Sequence, residues 1–433
     1  MRLLYNILFN IAFALSAPWY FLKMYRRGSW KNGFGERFGI YDARLKQALT
    51  NRQVVWFHAV SVGEVNICTQ IVKAIEPHLP LHKIVVSTTT STGMGLLKER
   101  LPSHVTKIYY PIDRRKHVQR AIGLIHPSAV VLVEAEIWPN FLWSLQRRGI
   151  PHFLVNARLS ERSRRGYKRF GFLFRPLFAG FTGVGAQTEA DAALLRDLGC
   201  QPDAVHVIGS LKFDAAKIDE RRTLNVRGML AQLGVTEDAL ILVGGSTHDG
   251  EEKILASVCR KLRKKFPNLF PILVPRHHER GAAVGDDLKS LGMRFVYRKE
   301  ILPKTRFEPG EIECLVVNTT GELRFFYECA DVVFIGKSLT AQGGQNPIEP
   351  AALGKPVLFG PNMQNFPEIA PAFVKGGGAI QVADADALER ALEDLLASKE
   401  RRAETGAKAA AIVRQNLGSI GRTVDMILEA VKR

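Results

Sequence analysis

The chain has 433 residues, enough for two or three domains at an ordinary ~100–200 residues per domain, and its hydrophobic fraction of 46% is that of a globular protein. Its net charge of +18 calls for an acidic partner, whether nucleic acid, anionic lipid or a phosphorylated substrate. The five cysteines (Cys68, Cys200, Cys259, Cys314 and Cys329) are odd in number and scattered without CxxC or metal-ligand spacing, which argues against a disulfide framework or a structural zinc and for reduced thiols in a cytoplasmic compartment.

Residues 3–22 form a run of 20 without a charge. As a helix at 1.5 Å per residue this run reaches ~30 Å, the thickness of bilayer hydrocarbon. Lys23, Arg26, Arg27 and Lys31 follow at once, which places the body of the protein on the cytoplasmic side. Trp19, Tyr20, Tyr25 and Trp30 suit a membrane interface. Asn6, Asn10 and Pro18 weaken a full span, so residues 1–27 read as a membrane anchor or an in-plane interfacial helix. A core helix is the plainer alternative. A cleaved signal peptide fits poorly, because the positive cluster lies after the apolar run.

Strands and helices then alternate. Strands are predicted at 54–59, 84–87, 107–110, 129–133, 152–155 and 205–208, with helices at 63–75 and 93–101. This alternation predicts a parallel sheet covered on both faces, with ligands beyond the carboxyl ends of the strands. Glu64 sits there, three residues after the helix-capping Ser61. Its ordinary reading is a carboxylate that caps the helix start. Glu134 and Glu136 follow a buried strand in the same way. Paired across one cleft with Glu64, they become candidates for base and charge stabiliser. Residues 158–178 carry Arg158, Arg162, Arg164, Arg165, Lys168, Arg169 and Arg175, interleaved with Phe170, Phe172, Phe174 and Phe178. Such a stretch suits an anionic membrane surface, a phosphorylated lipid or single-stranded nucleic acid, or it is a solvated helix face.

The polar start of 215–233 reads as a linker, which divides the chain into 28–215 and 216–433. Strands are predicted at 240–244, 269–274, 294–297, 314–317, 330–335 and 356–359, and helices at 251–266, 386–396 and 401–432. Arg276 lies at a strand end, where a guanidinium can hold a phosphate. His248, His277 and His278 lack metal-ligand spacing, so no metal is expected. The loop after 330–335 is rich in glycine and enters a short helix at Asn346-Pro347-Ile348-Glu349, with Pro347 suited to its first position. Its N-terminus would suit a phosphate; an ordinary strand-to-helix loop is the alternative.

HAVSVGE, VLVEAEIWPN, NARLS, AQTEADAALLRDLG, GSLKFD, STHDGEE, LVPRHHER, TGEL and GGQNPIEPAALGKPVLFGP occur in one order. That order and spacing resemble the 3-deoxy-D-manno-octulosonic acid (Kdo) transferases of lipopolysaccharide assembly, from the N-terminal helix to about Phe366. The resemblance implies two Rossmann-like domains in a B-type glycosyltransferase fold. It implies inverting transfer of Kdo from CMP-Kdo to a lipid A precursor (lipid IVA), without a cofactor or bound metal, at the cytoplasmic leaflet of the inner membrane. By the same resemblance Glu64 matches the general base, and Glu134 and Lys212 match residues that stabilise the transition state. The CMP site falls on Pro275, Arg276, Thr320, Gly321, Glu322, Asn346, Pro347, Ile348 and Glu349. The chain departs from the family pattern at Asn318, Lys337 and Gln345, all close to the expected donor site. Two other readings compete. One is a transferase or epimerase of the same fold acting on another nucleotide sugar. The other is a non-catalytic basic protein that binds membrane or nucleic acid, against which the carboxylates at strand ends speak by repelling a polyanion.

Overall fold

The structure is a computed structural model that describes residues 2–26, 31, 33–134, 137–159, 161–214 and 224–431. Glu136 and both expected domain boundaries, at 27/28 and 215/216, lie outside the described residues. The chain folds as two compact units, Met1–Ala215 with Leu417–Arg433 and Ala216–Asn416.

The first unit holds strands β1 (Gln53–His58), β2 (His82–Thr88), β3 (Thr106–Tyr109), β4 (Pro127–Val133), β5 (His152–Ala157), β6 (Gly183–Ala186) and β7 (Val205–Val207). They form one parallel sheet in the order β3-β2-β1-β4-β5-β6-β7. The alternation of side chains along β1 shows why its sequence is apolar throughout. Val54 and Trp56 pack on one face, against Val118 and Ile122 of the helix Arg115–Ile125 and Phe141 of the helix Pro139–Arg147. Val55 and Phe57 pack on the other, against Cys68, Ile71 and Val72 of the helix Val62–Ile75. A strand buried on both faces has no polar alternation to show. The chain reverses its direction of travel across the sheet between β1 and β4, so the carboxyl ends of these neighbours open a crevice.

Strand β6 escapes the sequence reading because it is Gly-Val-Gly-Ala. A Cβ on Gly183 would stand 2.9 Å from Phe153 and 3.1 Å from the Met426 sulfur, so neighbours occupy the space a β-former would need. The N-terminal helix Arg2–Arg26 is long and apolar enough to cross a membrane. It is fastened to the first unit near its start, where the Tyr5 hydroxyl donates to Asp113 (2.8 Å), and near its end, where Phe21 packs on Phe34 and Phe38.

The second unit repeats the architecture with β8 (Leu240–Thr247), β9 (Leu269–Pro275), β10 (Phe295–Tyr297), β11 (Cys314–Val316), β12 (Val332–Ile335), β13 (Val357–Phe359) and β14 (Ala379–Gln381). The parallel order is β10-β11-β9-β8-β12-β13-β14, so the direction reverses between β8 and β12.

The sequence reading runs one helix through 401–432 and assigns all of 216–433 to the second domain. The structure corrects both. The helix divides into Lys399–Asn416 and Ser419–Val431, and Gly418 turns the chain at φ 85°. The last helix then folds with the first unit, where Val424, Ile427 and Leu428 join the core beside the helix Val62–Ile75. Asp214, buried, anchors it by accepting the N–H groups of Gly418 (2.9 Å) and Ile420 (2.7 Å). Arg422 adds hydrogen bonds from Nε (3.0 Å) and Nη2 (2.6 Å) to the Ile208 carbonyl. Losing a side-chain cap costs about 1–2 kcal/mol. Asp214→Ala is therefore expected to speed amide exchange across 419–431 while leaving exchange in 240–247 unchanged; equal protection of both segments would contradict this anchoring.

Candidate active site

In the first unit the chain leaves β1 through Ala59-Val60-Ser61 and enters the helix Val62–Ile75. The Ser61 hydroxyl accepts the Glu64 N–H at 3.2 Å. The Glu64 carboxylate returns to accept the N–H groups of Val60 (2.8 Å) and Ser61 (3.3 Å). This is a capping box, so the ordinary reading of Glu64 holds. The same bonds fix a carboxylate at the carboxyl end of β1, in the crevice.

Beside it, β4 ends and Glu134 follows. Its backbone is left-handed at φ 64°, a conformation that costs a non-glycine residue about 1–3 kcal/mol and clusters at functional sites. Burial is the main reason its carboxyl lies above the usual range, and repulsion from Glu64 adds to it. Lys212, Arg158 and a long contact from Asn156 Nδ2 (3.5 Å) pull in the opposite direction. Lys212 is lowered by burial, restored in part by Glu134 and lowered further by Arg158. Each group thus loses charge to desolvation and regains some from the other. The structure brings Glu64, Glu134 and Lys212 into one electrostatic field.

Asn156, the first residue of NARLS, joins this group. It is buried, sits at φ 54° beside an irregularity in the β5–β6 register, and accepts the Leu211 N–H at 3.2 Å. Its side chain therefore ties the Glu134 turn to the Lys212 turn. Asn tolerates left-handed backbone better than most residues, which is the one signal available in the sequence. His58 is no base at neutral pH: burial pushes it down to about 3, and its ring stacks on Tyr110 at 3.8 Å.

In the second unit Arg276 follows β9, held by its N–H to the Thr247 carbonyl (3.0 Å). It is exposed and makes no ion pair among the described residues. Past β12 the chain reaches the helix Ile348–Ala352, of which Pro347 is the N-cap rather than the first helical residue. Asn346 accepts the Ile348 N–H and donates to the Glu349 carboxyl, both at 3.1 Å. Burial raises Glu349, while Asn346, Arg324 and Arg276 hold it down. Arg276 and 346–349 therefore share one field. Glu322, preceded by Thr320 and Gly321, opens the helix Leu323–Cys329 and is gripped by both ends of the Arg298 guanidinium (3.1 and 3.2 Å). No motif singles out Arg298 or Arg324: Arg298 pairs with Glu322, 24 residues away, and Arg324 acts on Glu349 besides its ion pair with Glu328 one turn on.

One anion hole in this unit is already filled. The buried Glu251 carboxylate accepts four backbone N–H groups, from His248 (2.8 Å), Lys337 (2.7 Å), Ser338 (2.9 Å) and Leu339 (2.9 Å). The turn after β12 thus holds a protein carboxylate where a phosphate was conceivable. Gly336 lets it pass close to β8: a Cβ there would meet the Ser246 oxygen at 2.3 Å. Neighbouring Glu252, also buried, accepts from Thr247 (2.9 Å) and pairs with Arg280 (2.7 Å), so much of STHDGEE and LVPRHHER is framework. The rings of His248 and His277 lie 5.9 Å apart, and no metal-holding group of three His, Cys, Asp or Glu occurs among the described residues.

The departures are accommodated by backbone contacts. Asn318 accepts the Lys299 N–H at 3.2 Å, as an aspartate would. The loop carrying Lys337 and Gln345 closes through Gly344 N–H to Lys337 (2.8 Å) and Gln345 N–H to Gly336 (3.1 Å). The basic stretch forms the helices Glu161–Arg169 and Gly171–Phe178; Phe178 is buried, whereas Phe170 and Phe172 face outward.

Replacing Glu251 by its isostere tests the filled hole. Glu251→Gln turns an NH2 group toward two of the four donors, and an unmade buried hydrogen bond costs about 1–3 kcal/mol. Denaturant unfolding of the second unit is expected to lose about 2–3 kcal/mol, with faster exchange at 337–339; unchanged stability would contradict the bonding described.

The family model for 3-deoxy-D-manno-octulosonic-acid transferases (kdotransferase) matches residues 32–215. The 3-deoxy-D-manno-octulosonic acid transferase of Haemophilus influenzae is 33% identical over 408 residues, covering 93% of this chain and 92% of that one. The enzyme of the same name from Bordetella pertussis is 33% identical over 436 residues, covering 97% and 98%. Among solved structures, UDP-GlcNAc 2-epimerase from Neisseria meningitidis matches with a TM-score of 0.59 at 15% identity, covering 87% of this chain and 100% of that one. A glycosyltransferase from Rickettsia africae matches with a TM-score of 0.56 at 14% identity, covering 88% and 100%. These neighbours share the B-type glycosyltransferase fold that the two parallel sheets display. By its identity to two such enzymes along nearly their whole length, the chain belongs to the Kdo transferase family of glycosyltransferases.

Proposed function

We propose that this protein transfers Kdo from CMP-Kdo to a phosphorylated lipid A precursor, with inversion, at the cytoplasmic face of the inner membrane. The observation that carries the reading is the grouping of Glu64, Glu134 and Lys212 where the first sheet reverses direction. A sugar hydroxyl is a weak nucleophile at neutral pH, and a positioned carboxylate makes it a better one. Glu64 takes the proton from the acceptor's primary hydroxyl as the new C–O bond forms. The Val60 and Ser61 N–H groups hold its carboxylate in place meanwhile. The bond from the anomeric carbon to the CMP phosphate breaks, leaving positive charge on the sugar and negative charge on CMP. Glu134 answers the first and Lys212 the second.

The donor's CMP half is assigned to the second unit. Arg276 supplies an uncommitted guanidinium for the phosphate, next to Pro275. Asn346 holds Glu349 ready for a nucleotide hydroxyl or amine. Thr320, Gly321 and Glu322 form a second contact, with Glu322 preset by Arg298. The basic, aromatic stretch 158–178 and the N-terminal helix serve the lipid side of the reaction. A polyanion such as nucleic acid is not the expected partner, because Glu64 and Glu134 would repel it.

The test is transfer to a tetra-acylated lipid A precursor, with CMP-Kdo generated in situ. Wild type is expected to give a product whose mass counts the Kdo units added. Glu64→Gln, which keeps much of the cap, is expected to lose about 10²–10⁴-fold in kcat. Lys212→Ala is expected to lose about 10²–10³-fold. No product from folded wild type would overturn the assignment. Full activity in Glu64→Gln would remove Glu64 as the base.

A further inference from the structure

A cavity of about 630 Å³ opens between the first turns of the N-terminal helix and the helices Arg115–Ile125 and Pro139–Arg147. Arg2, Arg114, Arg115, Lys116, Arg120 and Arg147 line it. None of these six makes an ion pair among the described residues. The nearby Asp113 does not neutralise them through a salt bridge, because it is buried and taken by the Tyr5 hydroxyl (2.8 Å) and the N–H groups of Asn140 (3.0 Å) and Phe141 (2.9 Å). Two of the cations are held over aromatic rings, Arg2 over Trp143 at 5.4 Å and Arg114 over Phe13 at 5.8 Å. So many like charges around one cavity repel each other and raise the local concentration of anions.

The helix that roofs this cavity says which anion. Its contacts with the first unit run from Tyr5 to Phe21, a length of ~24 Å at 1.5 Å per residue. A helix standing upright across a bilayer would touch a water-side domain only at its end. This one lies flat, and it is apolar on both sides. Tyr5, Phe9, Phe13 and Phe21 face inward, half-buried, whereas Leu3, Ile7, Leu8, Ile11, Leu15 and Trp19 are exposed. An exposed apolar helix face beside a basic hollow matches the acyl and phosphate layers of a membrane surface.

We propose that this cavity holds the phosphate headgroup of an anionic bilayer phospholipid, while the outward face of the helix lies in the plane of the membrane among the acyl chains. The proposal rests on the membrane-side placement given above, but not on the transfer chemistry. It settles the open choice at the N-terminus in favour of an in-plane helix, and it adds a second basic site to the 158–178 stretch.

The experiment uses the full chain and vesicles of phosphatidylcholine, with or without phosphatidylglycerol, free of any acceptor. Cations at a membrane surface contribute about 1 kcal/mol each, close to fivefold. Wild type is expected to bind the phosphatidylglycerol vesicles more tightly, with affinity falling as salt rises. The variant Arg115→Gln/Arg120→Gln/Arg147→Gln is expected to lose at least about tenfold of that affinity. Its melting temperature, its binding to neutral vesicles and its acceptor KM in detergent are expected to stay at wild-type values. Unchanged binding of the folded variant to anionic vesicles would overturn the proposal. So would a raised acceptor KM with unchanged vesicle binding, which would give the cavity to the acceptor's own phosphate. Arginine-dependent vesicle binding by a protein that transfers no Kdo would support the headgroup site and refute the enzymatic reading.

Discussion

A carboxylate removed from water must be met by donors, or it gives up its charge. This fold meets most of its buried carboxylates with backbone N–H groups where strands end and helices begin. Glu64 takes two at the end of β1. Asp113 takes two at the start of the helix Pro139–Arg147, and Asp214 two at the last helix. Glu251 takes four and joins the ends of β8 and β12. Each bond set fixes a loop, and each loop carries a residue assigned to the reaction or to the donor.

Glu134 is met differently. Its backbone is strained, its side chain receives a long contact from Asn156 and no other hydrogen bond among the described residues, and burial works against its charge. Strain of this kind persists where the surroundings impose it. Here Asn156 and the neighbouring strands impose it, on the carboxyl proposed to answer the positive charge of the transition state. The second unit shows the same habit at Ser246 and Lys337, both left-handed at the ends of the two strands that flank its point of reversal.

Much of this was legible in the sequence because parallel strands buried on both faces read as unbroken apolar runs. β1, β4, β8 and β9 stand within a few residues of their expected positions. β6 was not legible, since its glycines make room for Phe153 and Met426 rather than mark a loop. Nor was the last helix: a single glycine, Gly418, redirects an otherwise continuous helical pattern into the other unit. Among the residues proposed for the site, ordered motifs nominated Glu64, Glu134, Lys212 and Arg276. They did not separate chemistry from framework. Glu251, Glu252 and Arg280 share motifs with residues proposed for the donor, yet all three are engaged in holding loops. The distinction depends on partners as distant as 88 residues along the chain, which no local pattern contains.

The account rests on a division of labour, with proton transfer in the first unit and CMP recognition in the second. Calorimetric titration with CMP tests it most directly, in wild type, Glu64→Gln and Arg276→Ala. The account predicts that Glu64→Gln binds CMP as wild type does, and that Arg276→Ala weakens binding by about tenfold or more, the loss of one charge-assisted contact. Equal loss in both variants, or undiminished binding in Arg276→Ala, would contradict it.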